Sequence, residues 1–241
     1  MERRPTTAAP RRDRKAWNAA MPLTTTGTQS HPLSLADQAF LQLQDRLIFL
    51  DIPPGMPLNE ARLAQELHVG RTPLREAIKR LESEHLVVTY PRRGTFATTV
   101  DITALSEISQ VREVLEPLAA RLAAERRGGG ARPQLEELRE RMAAQGSGPL
   151  GRDEALRWDI RIHRAIYLAS GNSHLQVTLE RYSNLATRIW CVVADRLPEL
   201  QEHISVHDAL LTAVLEGDAE QAGTIMFHHV RDFETHIRQV L

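Results

Sequence analysis

Across 241 residues the helical spacing of apolar residues in this chain is interrupted by strand-like segments once. From Leu33 onward, apolar residues recur at the three- and four-residue intervals of helices. The stretches "VVTYP" and "TFATTV", on either side of "RRG", break that spacing and read instead as two short strands. Two short strands joined by so tight a basic turn are placed to pair with each other as a hairpin. Beyond Asp101 nothing reads as a strand. The chain is therefore expected to be mainly α, with a single small β-hairpin near its first third.

What precedes the hairpin gives it a context. Leu35, Ala39, Leu43, Leu47 and Leu50 fall mostly on one helical stripe, which "DIPPGMPL" ends because Pro53 and Pro54 cannot continue a helix. Asn59 is a plausible N-cap for "EARLAQEL". After a break at "HVG" comes "RTPLREAIKRLESEHL", a helix expected to be capped by Thr72 with Pro73 in its first turn. Helix, turn, helix and basic-tipped hairpin, over residues 31–100, is the order of a winged helix-turn-helix. The chemistry suits DNA. Backbone N–H groups at Gly70 and Thr72 open the second helix, where the dipole favours a phosphate. Arg71, Arg75 and Lys79 lie on one stripe with reach into a groove. Arg92, Arg93 and Gly94 tip the hairpin, as a wing laid on the duplex requires.

Charge alone would not lead there. Basic residues on a helix are by default a solvated face, and residues 31–100 hold eight bases against eight acids. Residues 1–30 hold six bases and two acids and read as a disordered basic leader, whereas residues 101–241 hold 16 and 21. The sequence is more specific than its charge. The run "LNEARLAQELHVGRTPLREAIKRLESEHLVVTYPRRGTF" resembles the DNA-binding domain of GntR-family bacterial transcription regulators, and the R-T-P-x-R-E-A core carries the likeness. The resemblance covers Leu33 to about Val100 and implies DNA contacts at Arg71, Thr72, Arg75, Arg93 and Gly94. Gly70 departs from the pattern, which has Ser or Thr before the arginine, so one hydroxyl-to-phosphate contact is missing and only a backbone N–H is left. Ala61 stands where some members have an arginine, and no contact is assigned to it.

Residues 101–241 read as an all-helical bundle, with helices near 102–127, 131–145, 152–169, 173–196, 199–216 and 219–240. The breaks between them are "GGG", "GSGPLG", "SGN", "LP" and "EGD". Within it, "WDIRIHRAIYLASGN" sets Asp159 and His163 four apart on one face of an apolar helix. An isolated D-x-x-x-H is most simply a buried ion pair. A metal site needs further ligands, and histidines are concentrated in this half of the chain. Spacing leaves His203 against His207, and His228 against His229, open. Register favours His207, three and four before Leu210 and Leu211, and His229, on a stripe with Ile225, Phe233 and Ile237. His203, His228, His236 and His174 read as surface residues. One carboxylate and three imidazoles suit a divalent transition metal, Zn²⁺ first and Ni²⁺, Mn²⁺ or Fe²⁺ next. The single cysteine, Cys191, fits a reducing cytoplasm, and no run approaches the ~20 apolar residues of a membrane span.

"VREVLEPLAARLAAER", "DIRIHRAIYLASGN" and "HDALLTAVLEGDAEQAGTIMFHHV" together resemble the FCD effector-binding domain of the FadR-like GntR subfamily, over about 107–238. That resemblance implies metal ligands at Asp159, His163, His207 and His229 and a small organic acid as effector. It also implies a role for Arg112, which matches a family arginine near the cavity and could pair with the effector's carboxylate. Within its own helix Arg112 has another candidate partner, Glu116, four residues on. The resulting expectation is a non-enzymatic, ligand-responsive regulator of a metabolic operon, a repressor in the first instance. It would bind double-stranded operator DNA as a homodimer. The rival readings are a metal-dependent hydrolase or lyase fused to a helix-turn-helix, and a regulator whose metal is purely structural.

Overall fold

The computed structural model describes residues 33–145, 151–196 and 200–241. The expected leader at 1–30 lies outside the described residues. The first helix, α1 (Leu35–Ile48), begins where the Ser34 hydroxyl accepts a hydrogen bond from the Asp37 amide. It buries Ala39, Leu43 and Leu47 completely, while Leu35, at the start of the expected stripe, is 51% exposed. A short α2 (Glu60–Glu66) is capped by Asn59, as expected. The next helix, α3 (Arg71–Ser83), differs in one detail: its cap is Gly70, with no side-chain hydrogen bond, and Thr72 lies inside the first turn. Gly70 adopts the extended backbone of a cap at φ −74° and ψ 169°, so the helix begins two residues earlier than a Thr72 cap allows.

Strands β1 (Val87–Tyr90) and β2 (Gly94–Ala97) pair antiparallel, with Val87 opposite Ala97 and Tyr90 opposite Gly94. They are the only strands among the described residues. The Arg93 amide donates to the Tyr90 carbonyl at 3.1 Å, closing a turn through Pro91 and Arg92. Arg92 takes the positive φ, 62°, that such a turn asks of its third residue.

The other α-helices among the described residues belong to the C-terminal bundle: α4 (Leu105–Glu125), α5 (Arg132–Gln145), α6 (Arg152–Ala169), α7 (Ser173–Val193), α8 (Leu200–Glu216) and α9 (Ala219–Val240). Asp218 caps α9 by accepting from the Gln221 amide. Helix α4 packs along α9 and also touches α6, α7 and α8, which makes it the spine of the bundle. Helix α6 has two working faces. Asp159 and His163 turn into the bundle. Ile160 joins the apolar core of the N-terminal unit, and Arg157 and Arg164 reach Asp45 and Gln44 of α1.

Candidate functional site

The bundle brings four side chains from three helices to one point. Asp159 and His163 come from α6, His207 from α8 and His229 from α9, and their donor atoms all lie within 4.8 Å of one another. All four residues are buried, with at most 5% exposure. Asp159 Oδ1 lies 3.6 Å from His163 Nε2, 3.5 Å from His207 Nε2 and 3.4 Å from His229 Nε2. The Nε2 atoms of His163 and His229 are 3.0 Å apart. Two ligand atoms each 2.0–2.1 Å from one ion stand about 2.8–3.4 Å from each other at octahedral or tetrahedral angles, close to these separations. Four inward-facing donors, three imidazole nitrogens and one carboxylate oxygen, thus have both the spacing and the chemistry to hold one divalent ion.

Local sequence explains the convergence. The i, i+4 interval stacks Asp159 and His163 on one face of α6. Leu210 and Leu211 are fully buried and carry His207 inward, and buried Met226, Val230 and Phe233 do the same for His229. His174, His228 and His236 are exposed, as the register argument expects. The side chain of His203 lies outside the described residues.

Around these donors is a shell that sequence reading saw only in part. Arg112 Nε donates to Glu116 Oε1 at 2.5 Å, the intrahelical pair that spacing allowed. Glu116 Oε2 in turn lies 2.7 Å from His163 Nδ1. The Tyr167 hydroxyl stands 3.2 Å from the same nitrogen. Burial would raise the Glu116 carboxyl, but the Arg112 guanidinium and the His163 ring hold it down at about 2. Burial opposes charge on His163 as well, yet the carboxylates of Glu116 and Asp159 outweigh it and raise that ring. Tyr167 is signalled by its position four after His163. The Glu116–His163 contact joins two helices, and no spacing within one helix could announce it. Arg112 is 3% exposed, with its guanidinium 5.2 Å from the centre of the Phe233 ring.

The N-terminal candidates form a separate, open surface. Arg71, Thr72, Arg75, Lys79, Arg93 and Gly94 are all exposed. Arg75 Nε is 3.3 Å from Glu60 Oε2 but its side chain stays 73% exposed, so the pair is solvent-screened. Gly94 has a φ of 92°, a left-handed conformation that comes easily only to glycine, and it lets β2 leave the turn. No helix among the described residues is long and apolar enough to cross a membrane.

Comparison with known proteins agrees with this architecture. Residues 35–97 match the gntR family of bacterial regulatory proteins, and residues 107–232 match the FCD domain. An HTH-type transcriptional regulator from an unstable DNA locus of Streptomyces ambofaciens is 30% identical over 203 residues, covering 80% of each chain. The galactonate operon transcriptional repressor of Escherichia coli is 29% identical over 220 residues, 80% of this chain and 94% of its own. Among solved structures, McbR/YncC of E. coli superposes with a TM-score of 0.69 at 25% identity, covering 86% of this chain and 99% of that one.

Proposed function

The chain belongs to the GntR family of bacterial regulatory proteins and carries an FCD domain, and from that premise we propose that it is a metal-dependent, ligand-responsive repressor of a metabolic operon. It acts in the cytoplasm as a homodimer, placing two helix-turn-helix units on two half-sites of a palindromic operator. Arg71, Thr72 and Arg75 enter the major groove, and Arg93 and Gly94 lay the wing on the backbone. The observation that carries the regulatory half is the buried cluster of Asp159, His163, His207 and His229 inside the FCD bundle.

Zinc suits that donor set best, with nickel, manganese and iron next. A bound ion supplies a positive centre for the carboxylate of a small organic acid. Arg112 supplies the second cation, and its planar guanidinium matches a carboxylate's two oxygens. The galactonate repressor among the relatives makes sugar acids the first candidates. Release from DNA requires that the acid bind one dimer geometry better than the other. Against an enzyme stands Glu116, the carboxylate nearest the cluster after Asp159. Its two oxygens already face Arg112 and His163, so it is not placed to take a proton from water at the cluster.

The test is a thermal-shift screen of mono- and dicarboxylates and sugar acids on metal-loaded and chelator-treated protein, followed by operator binding with and without each hit. One acid should stabilise only the loaded form and release it from DNA. Metal uptake with no response to any acid would leave the ion a structural role. Turnover of an acid would reinstate the enzyme reading.

A further inference from the structure

Glu116 occupies a place that neither a structural ion pair nor a metal ligand fills. Its two oxygens are divided between two different helices. Oε1 accepts from Arg112 Nε on its own α4, and Oε2 faces His163 Nδ1 on α6. Glu116 and His163 are fully buried, and the Arg112 side chain is 4% exposed, so water competes for none of these contacts. An exposed i, i+4 pair would contribute little and would fix nothing else. Here the pair sits directly behind one of the four converging donors.

An imidazole binds a metal through a bare nitrogen, and the proton then resides on the other nitrogen. A carboxylate at that second nitrogen selects the tautomer and locks the ring plane. At His163, Nε2 lies in the donor cluster and Nδ1 stands 2.7 Å from Glu116 Oε2, the placement this division of labour needs. Resting on the reading of the cluster as a metal centre, we infer that Glu116 is the positioning residue of that centre, holding His163 with its proton on Nδ1 and Nε2 free for the ion. Because the same carboxylate also grips Arg112, a ligand that captures Arg112 changes the hold on His163 without touching the metal.

Two full-length variants test this. Glu116→Gln and Glu116→Met remove the same charge, but only Gln keeps an oxygen able to accept from Nδ1. The readouts are Zn²⁺ affinity by chelator competition and the His163 tautomer by ¹⁵N NMR of the metal-free protein at alkaline pH. The wild-type ring should be held as the Nδ1–H form. The Met variant should show mixed tautomers and lose zinc affinity by about 10–100-fold, the usual cost of removing such a partner. Gln should recover part of that loss. Equal losses in both variants with an unchanged tautomer would mean that only charge matters, and unchanged affinity in the Met variant would also overturn the assignment. A wild-type protein that takes up no zinc would sink the metal centre itself. The tautomer comparison in metal-free protein separates that failure from a failure of the Glu116–His163 hold.

Discussion

Asp45 of α1 accepts two hydrogen bonds from Nη1 of Arg157 on α6, at 2.9 and 3.2 Å. The contact joins the helix-turn-helix unit to the very helix that carries Asp159 and His163. Arg157 is almost wholly buried, and its guanidinium also lies 4.0 Å from the centre of the Phe49 ring. Arg157→Ala removes the charge pair and the packing together, leaving Asp45 without this cation in a half-closed interface. Breaking a buried pair from one side costs about 3–5 kcal/mol, and Asp45 retains 15% side-chain exposure, so the lower end is expected. Urea unfolding of the variant checks this. A loss under ~1 kcal/mol would mean that solvent already screens the pair, as at ordinary surface sites.

Glu84, at the C-terminal end of α3, gives the same interface a pH dependence. Burial raises its carboxyl above the ordinary range, and nearby Glu180 adds to this, while Gln44, Arg164 and Arg80 only partly oppose it. The folded protein therefore holds this proton at pH values where the unfolded chain has released it. Between the unfolded and folded pKa the native state binds more protons, so this group's contribution to stability falls as pH rises through that window. Glu84→Gln keeps a side chain that can bond Gln44, which now donates to Glu84 at 2.7 Å, and abolishes the titration. The variant should be more stable than wild type at neutral pH and lose that advantage in acid. Parallel stability curves across the acid range would refute the assignment.

Much of this was legible in the sequence, for reasons that differ by element. The hairpin was marked by the break in helical spacing and by the tight basic turn between its strands, and α6 emerged over the residues its amphipathic pattern marks, 152–169. The cap of α3 was misplaced because Thr72 has the better capping side chain, whereas Gly70 caps through backbone geometry alone. The four donors could be proposed because two share one helix at i, i+4 and the other two sit on apolar stripes. Their partners could not. The Glu116–His163 and Arg157–Asp45 contacts are 47 and 112 residues apart in sequence, and such pairings exist only once helices have packed.

The exposure of α3 makes its arginines separable from the rest of the molecule. Arg71→Ala and Arg75→Ala should each weaken specific operator binding by about 1–3 kcal/mol, or roughly 5- to 150-fold. Neither side chain is part of a core, so thermal stability and metal content should stay at wild-type values. Fluorescence anisotropy against operator and scrambled DNA, at two salt concentrations, distinguishes base reading from phosphate contact. A loss shared equally by both DNAs would assign these arginines to the backbone, and no loss would remove α3 from the interface.

The sharpest contrast lies between two histidines one turn apart on α8. His207 is fully buried in the donor cluster and is followed at three and four residues by Leu210 and Leu211, whereas in the sequence His203 has no such leucine pair after it. His207→Ala removes one of four converging donors, and its loss should exceed the 10–100-fold typical of an outer partner. Thermal stability reports it cleanly. A metal present at 100 times its dissociation constant stabilises the native state by about 2.7 kcal/mol. Wild type should show a gain of that order on metal addition, and His203→Ala should keep it. His207→Ala should show almost none, even if the cavity it leaves also lowers the metal-free baseline. Because the gain is read within each variant, a packing defect cannot imitate it. Elemental analysis supplies the stoichiometry. If His203→Ala lost the metal and His207→Ala retained it, the register of α8 in this centre would be wrong, and with it the choice of donors.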